Sequence, residues 1–170
     1  NYNNLNTKKK YITAFIPRFI MSKYNVELFF KIYPKGYLIS IIRDPETWMM
    51  SAKKHSPETY KDTKLTLDLW SQCLKMSLES KKRYREKVIL IKFSDLLMYP
   101  EKTLKKICLI INIDYEKQLI VPTFNGQEID SDSSHKSVKN IIDLSPTISK
   151  KNNSLSVEDN KILSKFIKEY

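Results

Sequence analysis

Two short apolar runs organise the chain. Tyr37-Leu38-Ile39-Ser40-Ile41-Ile42 and Val88-Ile89-Leu90-Ile91 are rich in β-branched residues and too short for helices, so each predicts a buried strand. The apolar positions around them follow a helical spacing. Val26, Phe29, Phe30 and Ile32 predict a short helix over 22–32, closed by the turn signal Tyr33-Pro34-Lys35-Gly36. Asp44-Pro45 predicts an immediate helix start, because Asp caps free N–H groups and Pro suits the first helical position. That helix runs through Trp48, Met49 and Ala52 towards His55 and stops before Pro57. A longer helix is expected from about 64 to 84, with Leu67, Trp70, Leu74, Ser77 and Leu78 near one face and a basic end suited to the helix dipole. Asp95-Leu96-Leu97 and Pro100 lead into a helix carrying Leu104, Ile107, Cys108 and Ile111. From Pro122 to about Lys136 the sequence reads as irregular. A last helix starts near Ser156, with Glu158 and Asp159 in its first turn and Ile162, Leu163, Phe166 and Ile167 on one face. This alternation predicts an α/β domain with short parallel strands flanked by helices. The expectation is one domain over 1–170, with the polar stretch Asn1–Lys10 poorly packed.

Composition narrows the partners. Lys and Arg number 30 against 19 Asp and Glu, a net charge of +11, which favours an anionic partner such as a nucleotide, a nucleic acid, an acidic glycan or a membrane surface. Cys73 and Cys108 fall in apolar helical stretches and read as small core residues. Two histidines supply none of the usual zinc spacings, so no metal is expected. No apolar run reaches the roughly 18–20 residues that span a bilayer. Basic residues are dispersed rather than interleaved with aromatics, so a specific nucleic-acid interface is not expected.

The stretch with the most chemistry is Ile41-Ile42-Arg43-Asp44-Pro45-Glu46-Thr47-Trp48-Met49-Met50-Ser51. Arg43 stands where a strand ends and a helix begins, at the carboxyl edge where open α/β sheets bind ligands. Ser51 lies one turn beyond Thr47, so its hydroxyl shares that helix face. A guanidinium fork with a nearby hydroxyl matches a phosphate monoester. The competing reading is a structural Arg43–Asp44 pair with Ser51 facing solvent.

This stretch resembles the 3′-phosphate-binding motif of the sulfotransferases that use 3′-phosphoadenosine 5′-phosphosulfate (PAPS), in which an apolar strand ends in Arg-Asp-Pro and a Ser follows eight residues after the Arg. The resemblance implies that Arg43 and Ser51 clamp the donor's 3′-phosphate. A second segment, from Val88 through Phe93-Ser94-Asp95-Leu96-Leu97 to Pro100-Glu101 and Leu104, resembles the family's strand, Tyr-Glu-Asp-Leu and Pro-Glu pattern. Phe93 stands in place of Tyr, an aromatic near the adenine, and Ser94 in place of Glu. Read from the residues alone, Phe93 is a core residue at a strand end and Asp95 a helix cap. Phe15-Ile16-Pro17-Arg18-Phe19 is similar to the family's Thr-Pro-Arg segment. Pro122-Thr123-Phe124-Asn125 with Ser133-Ser134 resembles a late loop of the branch that includes carbohydrate sulfotransferases, and Lys150 and Lys151 stand where the family carries a basic residue before its last helix. Those lysines also read as a solvated charge pair.

The resemblance implies in-line sulfuryl transfer from PAPS to a hydroxyl or amine, with a carbohydrate as the expected acceptor and no metal required. The family's glycine-rich loop for the 5′-phosphosulfate has no counterpart, since Gly36 and Gly126 are the only glycines. With Asn1 as first residue, the expectation is a P-loop-type fold lacking its N-terminal strand and loop, inactive alone. His55 and His135 are candidate bases by type only and also read as surface histidines. Three other readings remain: a degenerate family member that binds an anion or a protein, a basic nucleic-acid module, and a P-loop kinase, whose Walker motif is absent. The cytoplasm is the favoured compartment. A Golgi-lumenal type also fits, and Asn152-Asn153-Ser154 forms a glycosylation sequon.

Overall fold

The computed structural model describes residues 11–121, 123–124, 127–128 and 155–169. After a 3-10 turn at Phe19–Met21, helix α1 (Lys23–Ile32) leads into strand β1 (Leu38–Ile42) and helix α2 (Pro45–His55). Helix α3 (Thr63–Tyr84) returns to strand β2 (Val88–Lys92), followed at once by helices α4 (Phe93–Met98) and α5 (Pro100–Ile111). The described chain then holds the short strands β3 (Thr123–Phe124) and β4 (Gln127–Glu128), and helix α6 (Val157–Glu169). The expected 1–10 stretch lies outside the described residues, as do Ser133, Ser134, His135, Lys150, Lys151 and the Asn152 sequon.

Strands β1 and β2 pair in parallel, from Leu38 opposite Val88 to Ile42 opposite Lys92. A parallel pair needs a long crossover, here α2 and α3. Such short apolar strands joined by amphipathic helices give the α/β architecture that the sequence pattern predicts. Alternate residues of β1 face opposite sides: Leu38 joins a core cluster, and the Ser40 hydroxyl lies 3.2 Å from that of Ser77 on α3. Ile39 and Ile41 point the other way and remain 50% and 53% exposed, although their register partners Ile89 and Ile91 are buried. The expectation of a fully buried first strand is therefore corrected. Among the described residues β1 has one neighbouring strand, β2.

Two apolar clusters hold the elements together. Ile20, Val26, Phe30 and Val88 form the first, with Phe19, Phe29, Leu38, Tyr84 and Leu90 against them. Gly36 belongs to this arrangement, because a Cβ there would stand 2.7 Å from the Phe29 ring. Met49, Leu67 and Leu163 form the second cluster, joining α2, α3 and α6 with Trp48, Leu155, Ile162 and Phe166 around them.

Helix α3 differs in detail from the expected apolar face. Thr63, Thr66, Leu67, Ser77 and Ser80 are its buried residues, whereas Leu78 is exposed. The small hydroxyl residues admit the strand closely and return their hydrogen bonds locally, as Ser77 does to the Cys73 carbonyl at 2.7 Å. Cys108 is buried and Cys73 half-buried, as expected of small core residues. Burial pushes the Cys73 thiol up, and the Arg18 charge partly offsets this. The segment after Pro122 also departs from expectation: β3 and β4 pair antiparallel, and the Asn125-Gly126 between them is the dipeptide that favours a tight hairpin. No helix among the described residues is long and apolar enough to cross a membrane.

A polar tie fastens α6 beside the second cluster. Lys53 Nζ on α2 donates to Asp159 Oδ1 at 2.8 Å and to Thr63 Oγ1 at 2.6 Å, and the Thr63 hydroxyl donates to the same carboxylate. Burial alone would raise the Asp159 pKa, but hydrogen bonds from Lys53, Thr63 and Ser156, with the Lys53 charge, carry it below 3.8. A carboxylate with a depressed folded pKa adds stability above its unfolded pKa and loses it as pH falls through the folded one. Asp159→Asn is accordingly expected to cost about 1 kcal/mol at pH 7, discounted because the pair is partly solvated. The deficit closes as pH falls below 3.8. Urea midpoints of both proteins across that range check it, and a deficit that is constant with pH would contradict it.

Candidate anion site at the end of the first strand

The site begins with the helix start. Asp44 caps α2, its Oδ1 accepting from the Thr47 backbone N–H at 2.8 Å, and Pro45 occupies the first turn. The Thr47 hydroxyl donates to Asp44 Oδ2. With its proton directed there, Oγ1 accepts from Arg43 Nε at 2.9 Å. One hydroxyl thus links carboxylate and guanidinium. Among the described residues Arg43 and Asp44 make no direct ion pair, so the structural Arg–Asp pair considered from the sequence takes the form of this relay.

Arg43 is held at two further points, one on its guanidinium and one on its backbone. The guanidinium carbon lies 4.8 Å from the centroid of the Phe93 ring, at the first position of α4. The Arg43 backbone carbonyl accepts from Trp70 Nε1 at 2.9 Å, and Trp70 meets Phe166 of α6 edge to face at 6.0 Å. Burial lowers the Arg43 pKa and Asp44 offsets part of that shift. Arginine ionises far above neutrality, so the group stays charged. Its Nη donors have no protein acceptor among the described residues.

Ser51 is half-buried on α2, one turn beyond Thr47 and on the same helix face. Arg43, Thr47 and Phe93 are in direct contact, and Ser51 continues the line along α2. Lys150 and Lys151 fall outside the described residues. His55 is exposed in the last turn of α2, and Arg18 binds the Tyr60 hydroxyl from a left-handed backbone position. Asp95 proves not to be a helix cap: it is the third residue of α4, whose cap position is Lys92, and its carbonyl accepts from Tyr99 N–H and the Thr103 hydroxyl. Charged groups with Nη donors to spare, at the carboxyl edge of a parallel pair, suit a planar two-point contact with a phosphate or sulfate oxygen pair. No group of three or more His, Cys, Asp or Glu side chains gathers among the described residues.

Sequence reasoning did not single out Thr47 or Trp70 as parts of the site. For Thr47 the signal was its spacing, three residues after a capping Asp and four after the Arg. Trp70 read as an apolar position, but an indole N–H in a half-buried place needs an acceptor.

Comparison with known proteins bears on the whole arrangement. A family model described as "Sulfotransferase family" matches residues 3–117, well over half of the chain. The solved structure titled "Sulfotransferase Domain from the Curacin Biosynthetic Pathway" is similar in fold, with a TM-score of 0.63 at 19% identity. The match covers 88% of this chain and 60% of that one, so the present chain spans less than two thirds of that structure's length. No curated protein matches.

Trp70→Phe keeps an aromatic ring against Phe166 but removes the N–H that binds the Arg43 carbonyl. The expected loss is about 1–2 kcal/mol in urea unfolding, followed through Trp48. Unchanged stability would show that this bond does not hold the strand–helix junction.

Proposed function

Because this chain belongs to the sulfotransferase family, we propose that it serves sulfuryl transfer from PAPS to a hydroxyl or amine acceptor, and that its own contribution is the grip on the donor's 3′-phosphate. The observation carrying this reading is Arg43, anchored through Nε on Thr47 with its Nη donors unclaimed by described residues. Arg43 and Ser51 are the proposed 3′-phosphate ligands, and the Thr47 relay engages Nε while leaving the Nη donors without an acceptor among the described residues. Lys150 and Lys151 are proposed as further cationic contacts, on the family pattern alone. Phe93 belongs to the same donor site. A carbohydrate acceptor is the favoured class, from the likeness of Pro122–Asn125 and Ser133-Ser134 to the late loop of that branch. We infer one domain across 1–170.

The chemistry of transfer asks for more than this grip. As the sulfur–oxygen bond to the donor breaks, negative charge grows on the leaving bisphosphate, and cationic side chains and backbone N–H groups stabilise it. The acceptor's proton passes to a base as its oxygen or nitrogen attacks sulfur. Two glycines in 170 residues supply no glycine-rich phosphate loop, which favours a second reading of these residues taken alone: a unit that binds a 3′-phosphorylated nucleotide without turnover. A metal has no part in either reading.

Arg43→Ala is expected to weaken binding of adenosine 3′,5′-bisphosphate by about 1.5–3 kcal/mol, with adenosine 5′-phosphate nearly unaffected. Calorimetric titration of both ligands reads the difference. Equal losses for the two would remove Arg43 from the 3′-phosphate.

A further inference from the structure

The ring of Phe93 has a use that its place beside a nucleotide site does not by itself suggest. The family resemblance sets an aromatic here near the adenine. In the structure, however, the Arg43 guanidinium carbon stands 4.8 Å from the centre of that ring, well within cation–π range. A ring face covered by a guanidinium is closed to a base on that side. The partners of Arg43 also divide by function. Thr47 takes Nε in the guanidinium plane, and Phe93 supports the cation across its ring. Together they remove most of the freedom of a long, flexible side chain and leave the Nη groups to donate. Phe93 holds this place because α4 begins directly at the end of β2, and the register puts Lys92 opposite Ile42, so Phe93 and Arg43 follow the same rung of the sheet.

We propose that Phe93 is a positioning residue for Arg43, a shelf that preorganises the guanidinium for a phosphate monoester, rather than a stacking partner of the adenine. The inference rests on the 3′-phosphate reading above and deepens it. It makes selectivity for the 3′-phosphate depend on an aromatic face that never touches that phosphate. An aliphatic residue of similar bulk would fill the same space without attracting the cation, whereas Tyr or Trp would keep the shelf.

The test uses the full chain with Phe93→Leu and Phe93→Tyr, adenosine 3′,5′-bisphosphate and adenosine 5′-phosphate as ligands, and the side-chain NMR resonances of Arg43. In the ligand-free protein, the Arg43 Nε–H and δ-methylene signals are expected upfield from the ring current. They should move downfield in Phe93→Leu and return in Phe93→Tyr. Phe93→Leu should weaken the bisphosphate about five- to twentyfold and spare the monophosphate, with Phe93→Tyr near the parent. Equal weakening of both ligands would mean that the ring contacts the adenine, and would overturn the proposal. So would Arg43 signals that ignore the substitution. If Phe93→Leu alters neither affinity while Arg43→Ala still discriminates, the shelf is refuted and the 3′-phosphate reading survives. If the parent protein itself does not distinguish the ligands, that reading fails and takes the shelf's purpose with it, even where the NMR signature is present.

Discussion

The Thr47 hydroxyl donates to Asp44 and accepts from Arg43 Nε, and the candidate site depends on that double role. Asp44 must cap α2 for the helix to start where the strand stops. That cap turns Thr47 towards the carboxylate and leaves its lone pairs for the guanidinium. The result is a cation held at the carboxyl edge of the sheet without being neutralised by direct contact with the acid beside it. A direct Arg43–Asp44 pair would occupy the donors on which the proposed 3′-phosphate contact relies. The relay keeps the acid near enough to favour the charged form while leaving the Nη edge available.

Support for this junction comes from distant parts of the chain. Trp70, well along α3, binds the Arg43 carbonyl, and Phe166 of α6 packs against Trp70. Met49 lies in the cluster that joins α2 to α3 and α6, and Lys53 ties α2 to Asp159. Helix α6 supplies none of the contacts to the guanidinium, yet it braces α2, which carries Thr47, and α3, which carries Trp70. This explains how a C-terminal helix beyond the residues matched by the family model takes part in a site near residue 43.

Local chemistry made much of this legible in the sequence. The Asp44-Pro45 helix start, the two strands, their parallel relation and the packing of Ile162, Leu163 and Phe166 on α6 follow from caps, periodicity and crossover length, whereas Ile167, expected on the same face, is exposed. The position of Arg43 was legible because a charged residue directly after an apolar strand falls at the carboxyl edge of the sheet in such a fold. The contact of Phe93 with Arg43 was not, because it depends on the register that sets β2 beside β1. Exposure of Ile39 and Ile41 was equally hidden, since a strand sequence does not say which of its faces finds a cover. The antiparallel pairing of β3 with β4 was not foreseen, because the stretch from Pro122 to about Lys136 read as irregular and rich in Ser and Asp.

A structure of the chain bound to adenosine 3′,5′-bisphosphate tests the central claim most directly. The account predicts the 3′-phosphate within about 3 Å of the Arg43 Nη groups and near the Ser51 hydroxyl, with the Arg43–Thr47 and Arg43–Phe93 contacts retained. A nucleotide bound elsewhere, or one whose 3′-phosphate meets other cations while Arg43 stays uncontacted, would contradict it.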